Sequence, residues 1–478
     1  MEGKVYDSPF IHLFQTVSGT YFYDVNKDKC VPVPGEIYEY LEKGNDELEP
    51  EEKPEYIRQL EKDGFLKIKR VERIKHSNSE ILPYHLKNKI RHLILQVTQN
   101  CNLRCEYCVY SGDYQNRTHS QKKMSFDVAK KAMDYYLSHS RDNNSLSMGF
   151  YGGEPCLNFE LVKKCVEYFE EKAEGRTTAY NMTTNATLLS EDIIDYIVKH
   201  DFSLMISLDG PREVHDKHRK LAFSEEGSFD RVMKKVEYLK ERYPEYCRSH
   251  VSFNCVLDTE NDFEIIDHFI KSSPLISDMK IRSSVIDTRN TDKSYGLNEK
   301  FLEEMNYERF KIQLELLGEL PTCSGSRLLS GYKSSLTKAL ERADGAGSLE
   351  LPDEWHHGGP CMPGAMRLFV NAEGIFYPCE RVNEENCMLQ IGNVEEGIDV
   401  QKAEHILNFD EKRKDICRNC WAFRRCSQCV SYFEGDDVSS AEKRENHCKI
   451  TRKSVEEDMK DVCVLQALKC NYLVTLNA

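Results

Sequence analysis

The sequence predicts an α/β fold: a partial (β/α)6 TIM-like barrel between a small N-terminal domain and a Cys-rich C-terminal domain. Six β-rich runs alternate with helical patterns between about residues 90 and 290, and strands separated by helices form parallel sheets. Nineteen cysteines, several in two tightly spaced groups, exceed what a hydrophobic core uses. A chain of 478 residues is too long for one core, so several domains are expected.

The barrel prediction rests on six strand candidates. They lie at residues 93–98, 146–151, 179–184, 203–208, 250–257 and 279–285. Ser125 and Ser190 precede amphipathic runs with acidic first turns, so both are predicted helix N-caps. In a barrel of parallel strands the functional side chains lie at the carboxyl ends of the strands.

The rest of the chain divides around this barrel. We expect five segments, at residues 1–85, 86–300, 301–355 (a helical linker), 356–455 (Cys-rich) and 456–478 (a C-terminal helix). In the first segment two β-rich runs flank Ser18-Gly19, helices are expected over 35–44 and 51–62, and residues 65–74 alternate like a strand or wing. This order predicts a winged-helix-like domain; a cap without its own function is the alternative.

Composition excludes several function classes. The formal charge is 65 − 80 = −15, and an acidic chain is a poor partner for nucleic acid. No run reaches the roughly 18 apolar residues of a membrane span, and the N-terminus lacks a signal-peptide pattern. We therefore expect a cytoplasmic protein without membrane or nucleic-acid partners, whose clustered cysteines bind metal instead of forming disulfides.

The first cysteine group follows the first barrel strand. Its spacing is C-x3-C-x2-C, at Cys101, Cys105 and Cys108. Three thiolates on one loop can hold three corners of a [4Fe–4S] cube and leave one iron open. A zinc site completed by His92 or His119 is the alternative.

This motif, with Tyr107 before its last cysteine, resembles the signature of the radical S-adenosylmethionine (SAM) enzymes. The resemblance implies that the open iron binds SAM and that a 5′-deoxyadenosyl radical abstracts a hydrogen atom. Later motifs resemble those of the family in the same order. They imply SAM contacts at Gly152, Gly153, Glu154, Asn185, Ser207, Asp209 and Arg219. Within this set Glu154 would receive the SAM ammonium and Arg219 would grip its carboxylate. Ala186 stands where the family has glycine.

The second cysteine group gives C-x12-G-x4-C at Cys361, Gly374 and Cys379, followed by C-x2-C-x5-C-x2-C and one further cysteine. The later members are Cys417, Cys420, Cys426, Cys429 and Cys448. A zinc ribbon would use similar spacing. After a radical SAM core the pattern instead resembles a SPASM domain, which carries two auxiliary [4Fe–4S] clusters, so three clusters are expected. The final pair is usually C-x3-C, and this chain has C-x2-C.

Carried over by order, the resemblance assigns the auxiliary ligands. The distal cluster would use Cys417, Cys420, Cys426 and Cys448, and the proximal cluster Cys361, Cys379 and Cys429. The proximal set lacks one ligand. Cys387, Cys323, another side chain or a substrate thiolate are the candidates. Glu380, beside Cys379, is either a general base or a surface carboxylate.

The N-terminal segment resembles the leader-recognition element of maturases that build thioethers in Cys-rich ribosomal peptides, of the ranthipeptide or sactipeptide type. Such an element takes an extended leader as an added strand. The predicted function is thus a radical SAM peptide maturase that forms a Cys thioether, to Cα, Cβ or Cγ, with a flavodoxin- or ferredoxin-type reductant. The alternatives are a formylglycine-forming anaerobic sulfatase maturase, a C–C cross-linking maturase and a zinc-stapled binding protein. Sulfatase maturases generally lack this N-terminal unit and carry Asp at the position of Glu380.

Overall fold

The fold is given by a computed structural model, which describes residues 8–44, 53–288, 291, 293–344, 350–357, 361–432 and 438–476. Within these ranges, no helix combines the length and the apolar character that a membrane span needs.

The N-terminal unit is a three-stranded antiparallel sheet with short helices. Its elements are β1 (Ile11–Thr16), β2 (Gly19–Asp24), β3 (Lys29–Val33), α1 (Gly35–Lys43), α2 (Glu55–Lys62), β4 (Arg73–Ile74) and α3 (Leu82–Asn88). The predicted hairpin around Ser18-Gly19 is confirmed. Of the predicted strand or wing at 65–74, only β4 is a strand. The backbone of Lys67 is occupied elsewhere, because its carbonyl accepts from the Phe10 N–H at 3.0 Å.

The barrel segment alternates strands and helices. Its elements are β5 (Leu93–Thr98), β6 (Leu103–Cys105), α4 (Phe126–Ser138), β7 (Ser145–Gly152), α5 (Phe159–Lys172), β8 (Thr177–Thr184), α6 (Glu191–Lys199), β9 (Ser203–Ser207), α7 (Arg212–His218), β10 (Arg219–Leu221), α8 (Phe229–Arg242), α9 (Pro244–His250), β11 (Val251–Leu257), α10 (Phe263–Ser272) and β12 (Lys280–Val285). The six predicted strands are confirmed as the parallel order β5-β7-β8-β9-β11-β12. The Ser125 and Ser190 side chains accept backbone N–H bonds as N-caps.

The C-terminal third continues the same sheet. Its elements are α11 (Glu299–Leu317), α12 (Ser330–Asp344), β13 (Glu354–Trp355), β14 (Leu368–Val370), β15 (Ile375–Tyr377), β16 (Gly392–Asn393), β17 (Gly397–Ile398), α13 (Val400–Leu407), α14 (Lys414–Cys417) and α15 (Val438–Leu476). Strand β14 pairs in parallel with β5, and β15 to β17 extend the sheet antiparallel. Helix α15 begins at Val438, well before residue 456, and therefore includes Cys448.

The N-terminal unit docks on the second cysteine group. Phe10 and Tyr23 share a buried apolar cluster with Phe423 and Met459, which belong to the cysteine loop and to α15. The His12 ring stacks on Trp421, with centroids 3.6 Å apart and planes 5° from parallel. Strands β1–β3 are thereby held beside the loop that carries Cys417 to Cys426.

Candidate active site

The first three cysteines meet at the carboxyl edge of the parallel sheet. Strand β6 pairs antiparallel with β10, which sets Cys105 opposite Arg219. A turn brings Cys108 back, since its N–H donates to the Cys105 carbonyl at 3.1 Å. All three thiols line one cavity of about 410 Å³. The predicted triad therefore faces a common space of the size that small-molecule sites have.

Burial dominates the electrostatics of these thiols. It raises the pKa of Cys101 and of Cys105 to about 12, and the neighbouring thiols act in the same direction. Iron and zinc bind the thiolate, so metal binding must displace these protons. Of the two histidines considered for zinc, His119 lies near, with Nε2 3.9 Å from the Cys108 sulfur. His92 lies inside the barrel and hydrogen-bonds Ser147 at 2.8 Å.

Gly152 and Gly153 allow the backbone at the end of β7 to lie very close to the backbone of the cysteine loop. A Cβ at Gly152 would lie 2.1 Å from the Thr98 carbonyl oxygen, and one at Gly153 would lie 2.0 Å from that of Asn100. The Gly153 N–H donates to the Thr98 carbonyl at 3.0 Å. The sequence predicts that these glycines contact a ligand. The structure shows in addition that neither position has room for a side chain, because backbone atoms of Thr98 and Asn100 lie next to them.

Glu154 organises the edge of the cavity. Its carboxylate accepts from the Thr184 hydroxyl at 2.7 Å, the Cys156 N–H at 3.0 Å and the Asn185 N–H at 2.7 Å. Burial raises the pKa of Glu154, and these hydrogen bonds oppose the shift. The side chain therefore ties the end of β8 to the loop after β7, in addition to lining the cavity.

Asn185 lies within reach of the first cysteine loop. Its side-chain amide donates to Asn102 at 3.0 Å, and its Nδ2 is 3.8 Å from the Cys101 sulfur. The next residue, Ala186, has φ 61°, in the left-handed region that glycine adopts without strain. Ala186 thus adopts a left-handed conformation although it carries a Cβ.

Asp209 and Arg219 form a buried ion pair beside the cavity. Arg219 donates to Asp209 through Nε at 2.8 Å and through Nη2 at 3.1 Å. The Tyr107 hydroxyl and the Val256 N–H also donate to Asp209. Burial would raise the pKa of Asp209, but Arg219 outweighs it and the pKa is lowered. Among the described residues Ser207 and Arg219 line the cavity, whereas Asp209 does not. Asp209 therefore holds the Arg219 guanidinium in place, and its predicted contact with SAM stays a prediction.

The second cysteine group separates into two sets. Cys417, Cys420, Cys426 and Cys448 interact electrostatically with one another. Cys448 reaches this set from α15, and its sulfur accepts from Gln428 at 3.4 Å and from Arg413 at 3.6 Å. The structure thus brings together the four cysteines expected at the distal cluster.

Cys361, Cys379 and Cys429 form the other set. Cys429 interacts electrostatically with both other thiols. Burial raises the pKa of Cys361, and it raises the pKa of Cys379 to about 11. Of the two cysteines suggested as a fourth ligand, Cys387 is exposed in a short 3-10 helix. Cys323 is exposed beside α11, where its N–H donates to Glu315. Neither belongs to the described lining of the cavity that contains Cys429.

A second cavity of about 1020 Å³ adjoins the first. Cys429 lines the second cavity, and Tyr151, Glu380 and Arg381 line both. Glu380 accepts from Arg367 at 2.5 Å through Oε1, while its buried Oε2 has no hydrogen-bond partner among the described residues. The carboxylate lies between the two cysteine sites instead of on the outer surface.

Sequence reasoning missed a buried ion pair that ties the first cysteine loop to the C-terminal domain. Arg117 Nε donates to Glu384 at 2.7 Å, and both side chains are at most 5 % exposed. The guanidinium also stacks over Tyr110, 3.6 Å from the ring centroid. The partners are far apart in sequence, so no local spacing could have indicated them.

The sequence of the barrel is similar to that of a known protein family. Residues 95–270 match the model of the Radical SAM superfamily. The chain is 32% identical over 183 residues to a serine-type anaerobic sulfatase-maturating enzyme of Bacteroides thetaiotaomicron, covering 37% of this chain and 44% of that one. It is 41% identical over 127 residues to the uncharacterized protein MJ0907 of Methanocaldococcus jannaschii, covering 27% of this chain and 41% of that one.

Two further matches cover more of the chain at lower sequence identity. A cysteine-type anaerobic sulfatase-maturating enzyme of Clostridium perfringens is 25% identical over 354 residues, covering 70% of this chain and 86% of that one. The solved structure "Native anSMEcpe with bound AdoMet and Cp18Cys peptide" superimposes with a TM-score of 0.55 at 19% identity, covering 80% of this chain and 99% of that one. The chain spans only about two-fifths of the first curated relatives.

Proposed function

We propose that the protein is a radical SAM peptide maturase that forms a thioether from a Cys side chain of a ribosomal precursor peptide. The observation that carries the proposal is the pair of adjoining cavities. Tyr151, Glu380 and Arg381 border both, so a peptide held there lies between the Cys101 loop and Cys429. Radical formation and sulfur activation can therefore act on one bound segment.

The residues around the first cavity suit SAM and a [4Fe–4S] cluster. Three buried thiols supply three iron ligands, and Arg219 offers a cation to a carboxylate. Bound SAM and the reduced cluster would supply a 5′-deoxyadenosyl radical that removes a hydrogen atom from the peptide. Asp209 holds the Arg219 guanidinium in a fixed orientation, and Glu154 fixes the loops on either side.

The residues around the second cavity suit the activation of a substrate thiol. In the proposal Cys417, Cys420, Cys426 and Cys448 hold the distal cluster, and Cys361, Cys379 and Cys429 hold the proximal one. In the proposal a thiolate of the substrate completes the proximal set, because Cys429 lines the cavity that would hold the peptide. Glu380 accepts the thiol proton through its unpaired Oε2. Loss of one hydrogen atom, one proton and one electron would join sulfur to carbon, and the auxiliary clusters held by these cysteines would supply the acceptor for that electron.

The N-terminal sheet is proposed to hold the leader of the precursor. Within the described residues β1 and β3 each pair only with β2, so the sheet has outer edges that an extended peptide can extend. Docking beside Cys417–Cys426 keeps a tethered peptide near the cavities and raises its local concentration. A flavodoxin- or ferredoxin-type protein is the proposed reductant.

An anaerobic sulfatase maturase is the second candidate. The extended match to the Clostridium perfringens enzyme and the shared fold favour it. Such an enzyme would oxidise a Cys or Ser side chain to an aldehyde without forming a cross-link. Glu380 and the docked N-terminal unit favour the thioether proposal, because they add a base between the cavities and a surface for a leader.

The products separate the two candidates. The anaerobic holoenzyme is incubated with SAM, dithionite and the Cys-rich peptide encoded beside its gene, and the product is analysed by mass spectrometry. A thioether keeps the sulfur, loses two hydrogens and removes one alkylatable thiol. An aldehyde that has lost sulfur identifies the sulfatase-type reaction, and an unchanged peptide with SAM cleavage rejects the peptide as substrate.

Matched cysteine variants control this experiment. Cys108→Ala should abolish 5′-deoxyadenosine formation, whereas Cys323→Ala, at an exposed loop position, should leave it unchanged. Removing the leader from the peptide tests its recognition without disturbing the protein. Truncating residues 1–80 would instead expose the shared core around Tyr23 and Phe423. Equal affinity for both peptides would reject the leader-binding role.

A further inference from the structure

Two adjacent histidines and a distant aspartate converge in the interior, outside both cavities. His356, His357 and Asp410 are 5%, 2% and 3% exposed. One ligand atom of each lies within 4.8 Å of the others. His356 and His357 follow β13, while Asp410 lies in the 3-10 helix Phe409–Arg413.

His356 is oriented with a free lone pair toward this cluster. Its Nδ1 lies 2.7 Å from the His357 carbonyl, which can only accept, so Nδ1 carries the proton and Nε2 does not. That Nε2 is buried and has no hydrogen-bond partner among the described residues. A buried acceptor left without a donor is destabilising, and a backbone carbonyl on the opposite ring nitrogen is the usual support of a metal-binding histidine.

The other two side chains supply the complementary donors. His357 Nε2 contacts the Asp410 carboxylate, whose second oxygen lies 3.7 Å from Arg444 Nη2. A tetrahedral ion with bonds of about 2.0–2.1 Å would hold its ligands about 3.3 Å apart, so binding requires the contacting His357 and Asp410 side chains to separate. The His76 ring packs against His356 at 5.4 Å, but its Nδ1 accepts from the Asn78 N–H.

We propose that His356, His357 and Asp410 bind one divalent cation of the zinc class, separate from the iron–sulfur clusters. Two imidazole nitrogens and one carboxylate oxygen form a donor set that zinc prefers, with the fourth position left for water. Asp410 interacts electrostatically with the Cys417 and Cys426 thiols and also with the Arg444 guanidinium, so the neighbourhood of the site contains both acidic groups and one cation.

The position of the site indicates a structural role. Strand β13, just before the histidines, pairs with β4 of the N-terminal unit. Arg444, beside Asp410, lies on α15. An ion at this point would fasten the linker to the 3-10 helix that precedes Cys417, where the N-terminal unit and α15 also meet.

The test measures metal bound to the reconstituted holoenzyme, whose clusters occupy the cysteines. The protein is titrated anaerobically with Zn²⁺, desalted and analysed for zinc, iron and sulfide. We expect about one zinc per chain that His356→Ala removes while iron and sulfide stay constant. Asp410→Asn, a nearly isosteric change, should weaken zinc binding at least tenfold.

His250→Ala is the control, because this histidine stacks on Tyr246 and hydrogen-bonds the Ser249 hydroxyl at 2.7 Å, and it does not belong to the cluster. No zinc uptake by the wild-type holoenzyme would overturn the proposal without any variant. Zinc retained in His356→Ala would also overturn it, and would place the ion elsewhere. Zinc that appears only as iron is lost would show that the cysteines, not this cluster, bind it.

Discussion

Replacing Asp209 with Asn tests whether this carboxylate positions Arg219. The change keeps the shape of the side chain but removes the charge that two guanidinium nitrogens share at 2.8 and 3.1 Å. Asp209 is 3% exposed and Arg219 is 8% exposed, so the arginine charge would be left buried and unpaired. Breaking such a pair costs about 3–5 kcal/mol.

This cost translates into a measurable melting temperature. For a domain of the size of the barrel, 1 kcal/mol lowers Tm by about 2–4 °C, so Asp209→Asn should lower it by about 6–20 °C. The assay is anaerobic thermal unfolding of the holoenzyme, together with the equilibrium Kd for SAM. SAM binding should also weaken, because Arg219 loses its fixed orientation.

Asp230→Asn provides the matched control. Asp230 receives the same two-pronged contact from Arg212, but on the exposed surface, where solvent screens the pair. Its substitution should leave Tm and SAM affinity nearly unchanged. Equal effects of the two substitutions would refute the argument that burial makes the Asp209–Arg219 pair important.

The remaining predictions concern the backbone at Gly153 and Ala186 and the titration of His215. Gly153→Ala should displace the cysteine loop and lower the iron content, because its Cβ would lie 2.0 Å from the Asn100 carbonyl oxygen. Gly331→Ala, where a Cβ has open space, should leave the iron content unchanged. Iron retained in Gly153→Ala would contradict the packing argument. Ala186→Gly relieves a left-handed conformation costing about 1–2 kcal/mol, but it adds about 0.5–1 kcal/mol of unfolded-state entropy and removes a buried methyl group worth about 0.8 kcal/mol. Unfolding experiments should therefore show a change between a loss of about 0.8 kcal/mol and a gain of about 0.7 kcal/mol, and a larger loss would count against the argument. Burial lowers the pKa of His215 from 6.5 to about 3, so its contribution to stability is present above pH 6.5 and is lost as the unfolded state takes up a proton below it. Between pH 7.5 and 5.5 this amounts to about 1.4 kcal/mol, and His215→Gln should flatten the stability profile by that amount.

The barrel could be predicted because its strands are continuous apolar runs with clear boundaries. The run at 93–98 is confirmed without change as β5, and all six of its residues are buried. The cysteine spacing also predicts that Cys101, Cys105 and Cys108 share one site, because they lie within one short loop. The auxiliary sets and the SAM contacts are instead implied by the family resemblance, because their members lie far apart in the sequence.

Other features depend on contacts that no local pattern records. Strand β14 has three residues and owes its place to pairing with β5. Asp209 follows a strand end as expected, but its pairing with Arg219, ten residues later, is a tertiary contact. The cluster of His356, His357 and Asp410 joins segments 53 residues apart. Such tertiary contacts escape any motif-based prediction.

The measurement that tests the central proposal most directly is iron and sulfide per chain, with SAM cleavage, in the Cys101→Ala/Cys105→Ala/Cys108→Ala variant. Three clusters correspond to about twelve irons in the wild-type protein and about eight in the variant. The proposal predicts this loss together with complete loss of 5′-deoxyadenosine formation. Cleavage retained in the variant, or zinc in place of iron in the wild-type protein, would contradict it.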